Sequence, residues 1–193
     1  MYKKARVEDD IRVDPRLLGR DVETSIFDSL KQQYEGNISK QLGVVLKVLD
    51  IDEMGEGEIK PEDAGVYYPV SYEVLSYEPE LHEVIEGEVT DVTEFGAFIR
   101  IGPIEGLCHI SQIMNDYVNY DEKQDMLVGD DGNRTLQSGD KVRARITAVS
   151  LKEESDNKVN LTMRQPTLGK LEWIEEEIEE EIREYLKELG YDG

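Results

Sequence analysis

Phe95, Phe98 and Arg100 fall within six residues of one another, and His109 follows nine residues later. Two aromatic rings beside a cation carry out no bond-making step, but they stack single-stranded bases and hold a phosphate nearby. The obstacle is spacing. Residues three apart on a strand point to opposite faces, because side chains alternate with a period of two. Gly96 lies between the rings and can supply a bulge or a positive φ, which would bring both to one outward face. Without such a break Phe95 is a core ring, and the local pattern leaves both readings open. Further on, Lys141, Arg143 and Arg145 alternate with Val142, Ala144 and Ile146, so three cations share one strand face. Lys158 and Arg164 belong to the next strand segment. Phosphate contacts from such a set give affinity with little sequence selectivity. The competing reading is that the arginines neutralise nearby acids.

Covalent and metal chemistry find little support. The chain has two histidines, His82 and His109, and no His-x-x-x-His, Cys-x-x-Cys or Gly-x-Ser-x-Gly pattern. Gly55-Glu56-Gly57 lacks the Lys-Ser/Thr of a phosphate loop and opens no helix, so it reads as a loop tip. Asp50 and Asp52 read as a solvated strand end. Asp130-Asp131-Gly132 lacks the ligand series of a calcium loop. Cys108, the single cysteine, sits in an apolar run and reads as a small core residue. No catalytic residue, cofactor or metal site is expected.

The elements that would position these residues fall into an α+β arrangement. Residues 1–11 read as a strand through Tyr2, Val7 and Ile11, broken by Asp14-Pro15. Val22, Ile26, Phe27, Leu30 and Tyr34 lie on one face of a helix expected over 20–34, stopped by Gly36. Residues 43–51 form an apolar strand, 52–65 a polar loop, and 66–77 a Tyr-rich strand region interrupted by Pro69. Residues 1–80 are thus a small α+β domain with one helix on an antiparallel sheet. Residues 82–166 carry five short strands with Gly-rich turns, which predicts a closed all-β barrel of OB type. Residues 115–139 read as a polar, turn-rich insertion within it, and Glu153 to Asn157 as a polar turn. Residues 167–193 hold an acidic helix whose apolar stripe comprises Leu171, Ile174, Ile178, Ile182, Tyr185 and Leu189. Docking of that stripe on the same chain is preferred over a dedicated partner helix.

The formal net charge is -22. The three segments 1–81, 82–166 and 167–193 carry 10, 9 and 3 basic residues against 18, 16 and 10 acidic ones. Acid is therefore spread along the chain and densest in the tail, so long-range steering of RNA by net charge is not expected and binding would have to rest on a local patch and stacking. No apolar run approaches the roughly 18 residues of a membrane span, and the first residues lack a signal-peptide core. With the lone cysteine, these features predict a cytoplasmic protein with no membrane contact.

These residues carry a resemblance. Gly87-x-Val89, Phe95-Gly96-Ala97-Phe98, Gly106-Leu107-x-His109-Ile110-Ser111, Gly139-Asp140-x-Val142 and Leu161-Thr162-Met163-Arg164 resemble the S1-type OB domain of RNA-binding proteins. The resemblance implies that Phe95, Phe98, His109, Arg145 and Lys158 face RNA, and it favours the outward reading of Phe95. The turn from Glu153 departs in length from compact S1 domains. Over nearly the whole chain the sequence is similar to the E-prime family of archaeal RNA polymerase components, counterpart of the seventh subunit of eukaryotic polymerase II. The matching stretches include Gly36 to Ile51, Ile59-Lys60-Pro61-Glu62-Asp63-Ala64-Gly65, Tyr68-Pro69-Val70 and Leu168-Gly169-Lys170-Leu171-Glu172-Trp173-Ile174. Membership implies a non-catalytic stalk subunit of the DNA-directed RNA polymerase. It would pair with a smaller stalk subunit, bind emerging single-stranded RNA, and plug into the polymerase core through a loop tip around Gly55, Gly57, Ile59, Pro61, Asp63 and Gly65. The alternative is a free-standing S1-domain factor in translation or RNA decay, which would have no need of the stretch from Ile59 to Val70.

Overall fold

The computed structural model describes residues 1–130, 132–151 and 157–189; Asp131, all of the expected turn from Glu153 to Asn157 except Asn157, and the last four residues of the expected helical segment 167–193 lie outside them. The chain divides into two compact units, with a boundary between Pro79 and Glu80 and with Leu151 and Asn157 grouped with the first.

The first unit begins with β1 (Tyr2–Val13) and a 3-10 turn at Pro15–Leu17, followed by α1 (Val22–Tyr34). It continues through β2 (Ile38–Ser39), β3 (Gly43–Met54), β4 (Glu58–Ile59) and β5 (Val66–Tyr77). The helix starts two residues later than the sequence predicts because Asp21 caps it, accepting a hydrogen bond from the Thr24 amide at 3.1 Å. It ends where Gly36 turns the chain and donates to the Val45 carbonyl at 2.8 Å. The sheet runs β1-β5-β3-β2, all antiparallel, with β4 also on β5. Ile26 and Leu30 of α1 lie fully buried against Ile11, Val13, Val45, Val48, Tyr72 and Val74.

Two expectations are corrected here. Pro69 does not interrupt β5. Its carbonyl accepts from the Gly55 amide at 2.8 Å, where β3 leaves the sheet, so the missing proline donor falls where no partner strand needs it. The polar loop is also shorter than expected. β3 runs on to Met54, and Glu58 and Ile59 return to β5 opposite Tyr67 and Val66, so the loop is divided into a Gly-rich tip at 55–57 and a second turn at 60–65.

The second unit opens with β6 (Val84–Thr93), β7 (Gly96–Ile101) and β8 (Ile104–His109), then a 3-10 turn at Ile110–Gln112. Next come β9 (Val118–Asp121), β10 (Met126–Gly129), β11 (Thr135–Gln137), β12 (Lys141–Ser150) and β13 (Lys158–Thr162). β14 (Gly169–Lys170) leads into α2 (Leu171–Glu188). β6, β7, β8, β13 and β12 pair in a closed ring; β13 joins β8 in parallel and every other pair is antiparallel. This is the five-stranded OB barrel. Its interior holds Val89, Ala97, Ile99, Ile101, Cys108, Val142, Ala144, Ile146, Val159 and Leu161, the inward half of each alternation.

Residues 115–139 are not a simple polar insertion. β9, β10 and β11 form their own antiparallel sheet, and Leu127 and Leu136 are fully buried in the barrel core with Val118 and Tyr120 packed on it. Each of these strands contributes only one or two apolar residues, too few for an alternation to show. Leu127→Ala is expected to lower the stability of this unit by about 2–5 kcal/mol, read from chemical denaturation. A surface-loop leucine would cost almost nothing.

The preference for a self-docked helical stripe also fails. Trp173 and Ile174 are buried and Trp173 joins the barrel core, whereas Ile178, Ile182, Tyr185 and Leu189 are exposed. Lys170 anchors the helix start through Asp140 at 3.0 Å. No helix among the described residues is long and apolar enough to cross a membrane.

Candidate nucleic-acid interface

Phe95 and Phe98 are separated by a turn, not by a bulge at Gly96. Thr93 pairs with Gly96, so Glu94 and Phe95 are the two loop residues of the β6–β7 hairpin. The irregularity in this ladder lies instead between Val89 and Asp91. The Thr93 hydroxyl accepts from the Phe95 amide at 3.3 Å and lies 3.2 Å from the Gly96 carbonyl. The Phe95 carbonyl accepts from Ile110 at 2.8 Å. Gly96 takes φ +142°, and a Cβ there would stand 2.1 Å from the Cys108 carbonyl oxygen. Strand alternation therefore starts only after Phe95. The ring is 63% exposed, while Phe98 is half-buried and Arg100 exposed on the outer face of β7.

His109 ends β8 directly opposite Gly96, diagonal to Phe98. Its Nδ1 accepts from the Ser111 amide at 3.2 Å and lies 2.9 Å from the Ser111 hydroxyl. With Nδ1 accepting, Nε2–H is the ring's remaining donor. Arg164 braces the segment behind it, donating to the Ser111 carbonyl and to Asn115 Oδ1, each at 3.2 Å. Phe95, Phe98 and His109 thus form one group on β7, β8 and their turns.

The expected single basic surface divides in two. β6 lies between β7 and β12 and presents Glu86, Glu88 and Asp91 outward. Arg100 faces Glu88 on one side and Glu105 on the other, and Lys141 also faces Glu88. Arg143 is paired with Glu86 through contacts of 3.0 and 2.8 Å, so for this residue the neutralising reading holds. Arg145 is half-buried between Val84 and Thr162, with its Nε buried and unbonded among the described residues. Lys158 is exposed at the start of β13.

Two residues missed by sequence reasoning share the row of Phe98. Leu107 lies opposite it on β8, and Asn160 lies beside Leu107 on β13 and is exposed. Only the parallel β8–β13 register brings Asn160 there, and no local pattern encodes that register. Cys108 is buried, and burial pushes its thiol up to about 12, as befits a core residue.

In the first unit the turn between β4 and β5 is tied down by Asp63. Its carboxylate accepts from Arg12 at 2.7 and 2.8 Å, from the Tyr67 hydroxyl at 2.7 Å and from the Gly65 amide at 2.8 Å. Lys60, one residue before Pro61, lies 3.9 Å over the Tyr67 ring. Gly57 lets the chain pass close to its neighbours, since a Cβ there would stand 2.6 Å from the Tyr68 ring and displace it. Asp63 is thus committed to holding the loop, and the side chain it presents is Ile59, 76% exposed. The Arg12 hydrogen bonds, followed by those from Tyr67 and Gly65, hold the Asp63 carboxyl far below the usual range. A depressed folded value means the staple is complete above the unfolded carboxylate value of about 3.9 and lost only as pH falls towards the folded one. In a carboxyl-carbon NMR titration Asp63 is expected to stay ionised at pH 3; midpoint titration near 4 would mean the staple does not form.

Residues 78–163 match the S1 RNA binding domain model. Residues 8–64 match the SHS2 domain found in the N terminus of Rpb7p/Rpc25p/MJ0397. DNA-directed RNA polymerase subunit Rpo7 of Sulfolobus acidocaldarius is 38% identical over 178 residues, covering 92% of this chain and 97% of the relative. The chain belongs to the Rpo7/RPB7 family of RNA polymerase subunits. Within the family, Rpo7 of Saccharolobus solfataricus is likewise 38% identical, over 91% of this chain and 98% of its own length. DNA-directed RNA polymerase II subunit RPB7 of Glycine max is 27% identical over 76% of this chain and 83% of its own. Both the N-terminal SHS2 unit and the S1 barrel are family features, which disfavours a free-standing S1 factor.

Proposed function

We propose that this chain is a non-catalytic stalk subunit of a cytoplasmic DNA-directed RNA polymerase. It docks on the core enzyme through its first unit, pairs with the smaller stalk subunit, and guides emerging single-stranded RNA with its barrel. The observation that carries this reading is the near end-to-end match to Rpo7, 92% of this chain against 97% of the relative. A protein reused outside the polymerase would have no reason to keep both units together.

Phe95 and Phe98 stack bases, and His109 donates from Nε2. Arg100, Lys141, Arg145 and Lys158 supply phosphate contacts. Arg143 contributes least, because Glu86 already holds it. With a net charge of -22, affinity rests on this local group and not on long-range attraction. In the first unit, Ile59 is the apolar contact offered to the core. Gly55, Gly57, Pro61, Asp63 and Gly65 fix the loop that carries it.

The test is affinity purification of a tagged chain from its native cells. Core polymerase subunits and one small partner are expected in fixed ratio. Recovery of the chain without polymerase subunits would overturn the reading.

A further inference from the structure

Beyond Ile174, α2 leaves the barrel. Among the described residues its one remaining polar tie to the barrel is the ion pair of Glu177 with Arg134 at 2.6 Å. Past that point Ile178, Ile182, Tyr185, Leu186 and Leu189 recur at helical spacing, each between 41% and 62% exposed. Three helical turns with an uncovered apolar stripe are marginal in water without tertiary packing. The charges make matters worse. Glu175 and Glu179, Glu176 and Glu180, Glu177 and Glu181, Glu180 and Glu184, and Glu184 and Glu188 are all like-charged pairs one turn apart, and each such pair weakens a helix. Arg183 and Lys187 are the only cations on the helix, and Arg183 is drawn to Glu179 at 3.6 Å.

We propose that the exposed stripe of α2 is a docking surface for a basic amphipathic helix of another protein. The apolar ridge selects a partner with its own apolar face. The glutamates on both flanks select lysines and arginines beside that face, because only added cations relieve the repulsion within α2. The same charge rules out other occupants. A second copy would set one acidic helix against another, and RNA or an anionic lipid surface would be repelled. The spacing from Ile174 through Ile178, Ile182 and Tyr185 to Leu189 is four, four, three and four, longer than a heptad seam. The match is therefore a short groove-type contact and not a long left-handed coiled coil. This inference does not depend on the polymerase assignment.

The test uses the full chain and a Leu/Lys peptide of about 20 residues with leucines at helical spacing, against its scrambled isomer. Fluorescence anisotropy and amide NMR give affinity and location. The amphipathic peptide is expected to bind with shifts confined to α2, and the scrambled isomer roughly tenfold or more weaker. Ile182→Ser with Tyr185→Ser should remove that preference, while Glu180→Gln with Glu184→Gln should flatten the salt dependence. Far-ultraviolet circular dichroism checks that α2 persists in both variants. Equal binding of the two peptides, or unchanged preference in the serine variant, would overturn the proposal. So would self-association by sedimentation that the serine variant abolishes, or an RNA oligonucleotide shifting the same α2 amides.

Discussion

Phe95→Ala and Phe98→Ala are each expected to weaken single-stranded RNA binding about 5- to 150-fold, the loss of about 1–3 kcal/mol of stacking per base. The two variants should part company in stability. Phe95 is 63% exposed on the hairpin loop, so its loss should leave the melting temperature unchanged. Phe98 is half-buried between Asp91 and Leu107 and should cost a little stability as well. An oligouridine titration by anisotropy, beside thermal melts, separates the effects. Unchanged RNA affinity in both variants would remove the barrel face as the RNA site. The comparison with Arg143→Ala is informative, because a guanidinium already held by Glu86 should contribute less than the rings.

Gly96→Ala is expected to be the most damaging small substitution in the barrel. Two costs coincide there. The residue sits at φ +142°, which L side chains rarely adopt, at about 1–3 kcal/mol. The added methyl would also stand 2.1 Å from the Cys108 carbonyl oxygen, a backbone atom fixed by the β7–β8 ladder. The melting temperature should fall by roughly 10–20 °C. RNA binding should fall with it, because the same glycine ends the hairpin loop carrying Phe95 and faces His109. Gly132→Ala is the control. It also has positive φ, but nothing lies within 4 Å of its Cβ position, so only backbone strain applies. A Gly96 variant as stable as the Gly132 one would mean that the β7–β8 contact yields.

Much of the fold was legible from local pattern. The inward residues of β7 and β12 alternate cleanly, and both strands form where the alternation places them. The α1 face repeats at helical spacing, and Ile26 and Leu30 at its centre are buried as read, with Phe27 and Tyr34 partly covered, whereas Val22 at the helix start is exposed. Failures occurred where packing partners lie far apart in sequence. Leu127 and Leu136 fall in a stretch whose overall polarity and turn residues read as an insertion, and only their sheet joins them to the barrel core. Trp173 escaped the helical stripe because its burial comes from the barrel and not from the helix's own periodicity. The lower α2 stripe failed the other way: its periodicity is clear, yet periodicity does not say whether anything covers it.

The sequence alone supplied the candidates, two aromatic rings and scattered cations on an acidic chain, because residue types and strand alternation need no distant partner, but it left Phe95 open between core and surface. It also determined the family, through motifs spread along nearly its whole length. Tertiary structure decided which of those residues lie together. Barrel order put acidic β6 between the rings and the β12 cations, which split the basic surface and gave Arg143 to Glu86. The hairpin turn, closed by a glycine that no side chain can replace, brought Phe95 outward beside His109. Strand order and register are long-range choices set by how the barrel closes, and no local run of residues contains them.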